Sequence, residues 1–222
     1  MDHSSRNRLT ARLLPQFAGV TLFDAIARAV CRAGCLPRKE LYEAWETARR
    51  VRRRFRGGRI VDLACGHALL AQILMLLDDS SPEALAVDQR LPKSAVALEA
   101  SLREAWPRLQ GRVALLEKDL RDVPLQRDDL VVSVHACGGL TDLVLERAVA
   151  AGARVAVLPC CHDLREADLG SLEGWLEGPL AMDAARVARL RRQGYRVFTQ
   201  LIPGDITPKN RLLLAEPALA RA

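Results

Sequence analysis

Aromatic side chains are scarce in this 222-residue chain: three Trp, two Tyr and four Phe, or 4%. So few flat rings leave few stacking platforms for unpaired nucleobases, which weighs toward a small-molecule partner over a single strand. No apolar run approaches the ~20 residues that cross a bilayer, so no membrane partner is expected. Residues 1–20 contain no secretory hydrophobic region, and a cytoplasmic location is expected. Six cysteines in such a setting read as reduced thiols and not as a disulfide frame. No internal repeat and no low-complexity segment occurs. Glycine is also missing where a dinucleotide site needs it: a pyrophosphate-binding turn requires G-x-G-x-x-G, and only Gly66 stands in the corresponding stretch.

What is present suggests a globular chain. Half of the residues are hydrophobic, 27% are charged and the net charge is +6. That balance supports a packed core and permits an anionic partner such as nucleic acid, although an Arg-rich composition also follows from genomic base bias. The length suits one domain with an attachment: residues 1–56 as a basic tail and helical segment, residues 57–222 as the main domain.

Residues 21–56 read as two helices. Thr21 with Asp24 forms a capping-box pattern, and Phe23, Ile26, Ala27, Val30 and Cys31 recur at helical spacing up to Gly34. Pro37 is placed to start the second helix, with Leu41, Trp45, Ala48, Val51 and Phe55 as its apolar stripe. That helix ends in an arginine run, Arg49, Arg50, Arg52, Arg53, Arg54 and Arg56. It reads either as a phosphate-binding face or as a solvated cap favoured by the helix dipole. Its position just before the first strand puts the run at the amino-terminal edge of the sheet.

The chain is organised around Ile60-Val61-Asp62-Leu63-Ala64-Cys65-Gly66-His67-Ala68. A β-rich run ends on an acid, turns through Gly66 and opens a segment with Leu69, Leu70, Ile73, Leu74 and Leu77 at helical spacing. Strand, turn and helix in this order place a ligand at the carboxyl end of the first strand. Asp62 would repel a phosphate and suits a ligand bearing an ammonium group, as S-adenosylmethionine does. Asp88 ends the next apolar run at the spacing of a carboxylate that binds a ribose diol.

These residues, with Val134-His135-Ala136-Cys137-Gly138-Gly139-Leu140-Thr141-Asp142 and Leu158-Pro159-Cys160-Cys161-His162, resemble class I S-adenosylmethionine-dependent methyltransferases. The likeness is to the branch carrying H-x-C-G-x-x-T-D and C-C-H segments, which includes a eukaryotic tRNA ribose methyltransferase family. It runs from about Arg59 to Glu216. The first motif departs from D-x-G-x-G-x-G by placing Ala64 and Ala68 where the first and last glycines stand. The resemblance implies S-adenosylmethionine as cofactor, held by Asp62, Ala64, Cys65, Gly66, His67, Asp88, Asp119, Leu120 and His135, with Asp119 beside the adenine. It also implies a Rossmann-like α/β fold with seven mostly parallel strands, the last antiparallel, and helices on both faces.

The later apolar runs fit that fold. Strands are expected at residues 112–117, 130–134, 154–158, 195–201 and 211–215, nearly continuous in apolar residues as buried parallel strands are. A helix over residues 183–193 should turn Ala184, Val187, Ala188 and Leu190 inward and its arginines outward. Every Cys and His beyond residue 35 then falls at the carboxyl edge of the sheet: Cys65 and His67, His135 and Cys137, Cys160, Cys161 and His162.

Three roles are open to them. His135 or His162 serves as general base; Cys160 or Cys161 adds to a pyrimidine as nucleophile; or thiols and imidazoles hold zinc. The first ranks highest because of the resemblance, so no metal is expected, and His135, Cys160, Cys161 and His162 form the catalytic set. Lys209, Asn210 and Arg211 follow the sixth strand and either contact substrate or form a polar turn. The expectation is methyl transfer to RNA, with tRNA foremost, at a ribose oxygen or a base. A small-molecule acceptor, or a non-catalytic cofactor- or metal-binding module, is the alternative.

Overall fold

Ile60, Val61 and Leu63 are fully buried, the pattern of a strand covered on both faces. The computed structural model describes residues 2–134, 136–165 and 167–218. In it β1 (Ile60–Leu63) lies mid-sheet, with β2 (Ala84–Asp88) and β3 (Val113–Glu117) on one side. On the other side lie β4 (Leu130–Ser133), β5 (Arg154–Val157), β7 (Arg211–Pro217) and β6 (Tyr195–Leu201). The order is β3-β2-β1-β4-β5-β7-β6, parallel except for β7, which is antiparallel to both of its neighbours. The seven-stranded, mostly parallel sheet expected from the resemblance is therefore the sheet found. Because β6 runs in the same direction as β5, the loop after Leu201 emerges at the same edge as the loops after β1, β4 and β5. Strand order reverses between β1 and β4, and ligands bind such sheets in the crevice there.

Period-two alternation divides the core. Ile60, Leu130, Val132, Ala156 and Leu214 face one hydrophobic cluster; Val61, Leu63, Val131, Val155 and Val157 face another. The first cluster is filled by α1 (Leu22–Ala33), α2 (Arg38–Arg54), α3 (Leu69–Leu77) and α4 (Lys93–Ala105), which supply Ile26, Leu41, Ile73 and Leu98. The second is filled by α5 (Gly139–Ala151) and α6 (Gly178–Arg192) through Val144, Leu145 and Leu190.

The predicted helix starts hold. Thr21 and Asp24 exchange both capping-box hydrogen bonds, and Gly34 closes α1 in the left-handed region at φ 66°. Pro37, with φ fixed near the helical value, is the N-cap of α2. The tail expected at residues 1–20 is instead tied down. Leu9 N–H donates to Leu36 O at 2.8 Å and Lys39 N–H to Ser5 O at 3.0 Å. A 3₁₀ turn, Ala11–Phe17, buries Phe17, and Leu9 is wholly buried. Two apolar anchors thus outweigh the basic composition of the segment.

Two further expectations change. Helix α6 begins five residues earlier than expected, at Gly178-Pro179, where proline loses no helix hydrogen bond. Its buried face carries Ala181, Met182, Asp183, Ala185, Arg186 and Leu190, so Ala188 is exposed and Arg186 is completely buried. Apolar spacing misplaced that face because Arg186 is buried by charge pairing, bonding Asp142 at 2.7 Å and Asp183 at 3.0 Å.

The arginine run is largely consumed inside the chain. Arg49 and Arg50 pair with Glu46. Arg52, 4% exposed, donates to Leu74 O and Ser81 Oγ, and burial lowers its pKa to about 10. Arg54 stacks 3.3 Å from the Phe198 ring centroid, and Arg56 pairs with Asp78. These contacts fit the structural reading of the run, while Arg53, Arg54 and Arg56 stay exposed.

Candidate active site

The turn after β1 explains how the chain manages without two glycines. Ala64 and Ala68 adopt φ 55° and 59°, and Gly66 adopts φ 54°. Left-handed backbone costs an L-residue about 1 kcal/mol relative to glycine, so the two alanines hold the glycine conformations under strain. The turn brings Gly66 N–H to Asp88 Oδ2 at 2.9 Å, and Asp88 also accepts from Arg90 N–H. Asp62, 1% exposed, accepts Ala71 N–H at 3.2 Å from the first turn of α3. Burial raises its pKa to about 8.

Such a site fits S-adenosylmethionine by its donor set. An ammonium would pair with Asp62, the amino-terminal end of α3 suits a carboxylate, and Asp88 suits a ribose diol. The surrounding crevice is lined by Leu36, Glu40, Ala44, Cys65, His67 and Val134 and holds only about 10 Å³. The first turns of α2 cover it through Glu40 and Ala44.

The other expected cofactor residues take varied places. Asp119 is the N-cap of a 3₁₀ turn, Leu120–Asp122, accepting Arg121 N–H at 2.8 Å. That bond, together with the Arg121 guanidinium, lowers its pKa, and Leu120 is buried beside it. Cys65 is a buried thiol whose pKa burial raises, which leaves it inert as a nucleophile. His67 bonds Ser94 Oγ at 2.9 Å, and burial followed by the charge of Arg8 lowers its pKa. His135, expected both as general base and as cofactor contact, lies outside the described residues.

Beside the crevice lies a cavity of about 500 Å³ between the N-terminal segment, the start of α2 and the loops after β5 and β6. Arg6, Lys39, Glu40, Glu43, Cys160, Cys161 and Lys209 are among its lining residues. Glu40 lines both spaces. Burial and then the neighbouring Glu43 raise its pKa. Glu43 pairs with Lys39 at 3.3 Å. Sequence reasoning missed Glu40 and Glu43 because acids in the first turns of a helix are ordinary dipole partners.

The loops after β4 and β5 meet as expected. Gly138 N–H donates to Cys161 O at 3.1 Å, and Cys137 Sγ stands 3.2 Å from Cys160 Sγ. Cys161 has the lowered thiol pKa of the group, through its contact with Cys137 and then Cys160, aided by Lys209; burial raises that of Cys160.

His162 is placed otherwise. Its side chain is 3% exposed and its Nε2 sits 3.0 Å from Asp183 Oδ1, while Nδ1 is buried with no partner among the described residues. Asp183 also holds Arg186 and Arg211. Arg211, expected at the substrate, thus anchors this network. Asn210 Nδ2 donates to Ile202 O and closes the β6–β7 loop. Of the three expected substrate residues, Lys209 lines the cavity.

Solved structures share this fold. A tRNA methyltransferase of B. subtilis, TrmK, aligns at a TM-score of 0.52 and 15% identity, over 78% of this chain and 65% of that one. An O-methyltransferase family protein from Burkholderia thailandensis aligns at 0.52 and 15%, over 96% and 64%. The S-adenosylmethionine-dependent methyltransferase SibL aligns at 0.54 and 18%, over 96% and 66%. The chain thus spans slightly less than two thirds of the length of these proteins. No curated protein matches its sequence. A family model described as a methyltransferase domain matches residues 39–167, more than half of the 222 residues. Both ends of that match include elements of the site, from Lys39 and Glu40 on α2 to Cys160 and Cys161 after β5, and the chain belongs to this methyltransferase domain family.

Proposed function

We propose that the chain transfers a methyl group from S-adenosylmethionine to RNA, with tRNA the first acceptor to test, at a ribose oxygen or a base heteroatom. One observation carries this reading: Glu40 lines both the donor crevice and a cavity whose walls include Arg6, Lys39 and Lys209. Arg6 and Lys209, with Lys39 paired to Glu43 beside them, suit a phosphate backbone, and Arg8 and Arg12 are exposed on the same segment as Arg6. Bound at Asp62 and Asp88, S-adenosylmethionine supplies an electrophilic methyl group. Glu40, with its pKa raised, accepts the proton that the acceptor oxygen or nitrogen loses. Lys39, Lys209 and Arg6 hold the acceptor by its phosphates. His162, paired with Asp183, helps to order the loop after β5.

A second reading, a small anionic metabolite as acceptor, is favoured by the internal use of the arginine run and by the modest cavity. The deciding experiment is label transfer from methyl-labelled S-adenosylmethionine to total small RNA, protein and low-molecular-weight extract. Label in RNA, retained on digestion to nucleosides, supports the first reading; label confined to the small-molecule pool refutes it and supports the second.

A further inference from the structure

The chain divides its six cysteines into two kinds. Cys31, Cys35 and Cys65 are buried core residues, the ordinary use of a small apolar side chain. Cys137 and Cys161 are exposed and Cys160 is half-buried, so packing does not account for them. Their sulfur atoms all lie within 4.8 Å of one another, with Cys137 to Cys160 at 3.2 Å and Cys160 to Cys161 at 3.8 Å.

We propose that Cys137, Cys160 and Cys161 form a three-thiolate zinc site whose fourth coordination position opens into the basic cavity. Tetrahedral zinc with Zn–S bonds of about 2.3 Å sets its sulfur ligands about 3.8 Å apart; Cys160 and Cys161 stand at 3.8 Å, Cys137 and Cys160 at 3.2 Å, and all three lie within 4.8 Å. The frame that holds them is rigid where it needs to be. Cys137 precedes α5 and the Cys160-Cys161 pair follows β5, whose neighbour in the sheet is β4. The Gly138 N–H to Cys161 O hydrogen bond then pins the two loops together. Adjacent cysteines cannot form the usual C-x-x-C clamp, but a third sulfur from another loop completes the set. Thiolate ligands select zinc over hard cations such as magnesium or calcium. The four-cysteine ligation usual for iron–sulfur clusters is not met, since no fourth Cys lies at this group among the described residues.

Three protein ligands and one open position is the arrangement of reactive zinc centres, whereas structural zinc is closed by four. Cys160 and Cys161 line the same cavity as Lys39, Arg6 and Lys209, so the open position takes water in the resting protein and admits a soft donor such as a thiol. The site stands on its own geometry, independent of which acceptor is methylated.

The test uses the full chain purified under reducing conditions without chelators. Elemental analysis is expected to find about one zinc per chain. Cobalt exchanged for zinc should give intense thiolate-to-cobalt charge-transfer absorption, and added 2-mercaptoethanol should shift the visible bands. In the Cys161→Ala variant the charge-transfer intensity should fall by about a third, as one of three sulfurs is lost. Absence of bound metal and of the charge-transfer band in the wild-type chain overturns the proposal whether or not any variant folds. So does a thiol count reduced by two through a Cys137–Cys160 disulfide in metal-free protein. Unchanged cobalt bands on adding the thiol overturn the open fourth position. None of these readings involves methyl transfer, so their failure is distinct from failure of the RNA reading.

Discussion

Replacing Asp183 by alanine should destabilise the protein severely while leaving the chemistry of each folded molecule intact. Asp183 is 8% exposed and is bonded by three groups: His162 Nε2 at 3.0 Å, Arg186 at 3.0 Å and Arg211 Nε at 2.6 Å. Its removal leaves Arg186, wholly buried, with Asp142 as its remaining anion, and strips the His162 ring of its hydrogen bond. Breaking a buried pair by deleting one partner costs about 3–5 kcal/mol. A chain of this size loses about 3 kcal/mol per molar urea, so the urea midpoint should fall by about 1–1.7 M. Equilibrium unfolding followed by circular dichroism measures it. Burial raises the Asp183 pKa, but the hydrogen bonds from His162 and Arg211 outweigh it, and the net pKa is lowered. Its contribution is therefore complete above the unfolded value of about 3.9 and is lost as pH falls through the folded value. The gap between wild type and Asp183→Ala should close in acid. A midpoint shift below about 0.3 M, under about 1 kcal/mol, would refute the view of Asp183 as the centre of a buried charge network.

Glu40→Gln should cut kcat by about 10²-fold or more while S-adenosylmethionine binding by calorimetry is retained. The wild-type rate should rise with pH through a group above the ordinary carboxylate range, and that limb should vanish in the variant; an unchanged profile counts against Glu40 as base. Lys209→Ala should weaken RNA retention and lower its salt dependence by about one counterion, whereas Arg52→Met, at a buried position, should leave that slope unchanged. Ala64→Gly should raise stability by about 0.5–1 kcal/mol, read as a higher thermal midpoint; a lower one would show that the Ala64 methyl contributes more than its left-handed φ costs.

The sequence by itself determined the order of elements and the edge on which the site lies. Near-continuous apolar runs bounded by turns mark the buried strands, and a parallel sheet must then place Asp62, Asp88, Cys137 and Cys160 at one edge. Local rules of the same kind set the Thr21–Asp24 cap, the Gly34 stop and the start of α2 at Pro37, because capping depends on neighbours within one turn. Which polar residues meet across the sequence was decided by the tertiary structure alone. Helical spacing sends Arg186 outward, yet two aspartates, one on another helix, make its burial tolerable. The basic look of residues 1–20 hides Leu9 and Phe17, whose burial depends on surfaces supplied by α1 and α2. Glu40 reads as a common first-turn acid until α2 folds across the carboxyl edge and brings it beside Cys160 and Asp62. His162 carries no partner in the sequence pattern, yet the fold pairs it with Asp183, twenty-one residues on. Periodicity reports a residue's face, but charge pairing between distant elements depends on distances that only the packed fold fixes.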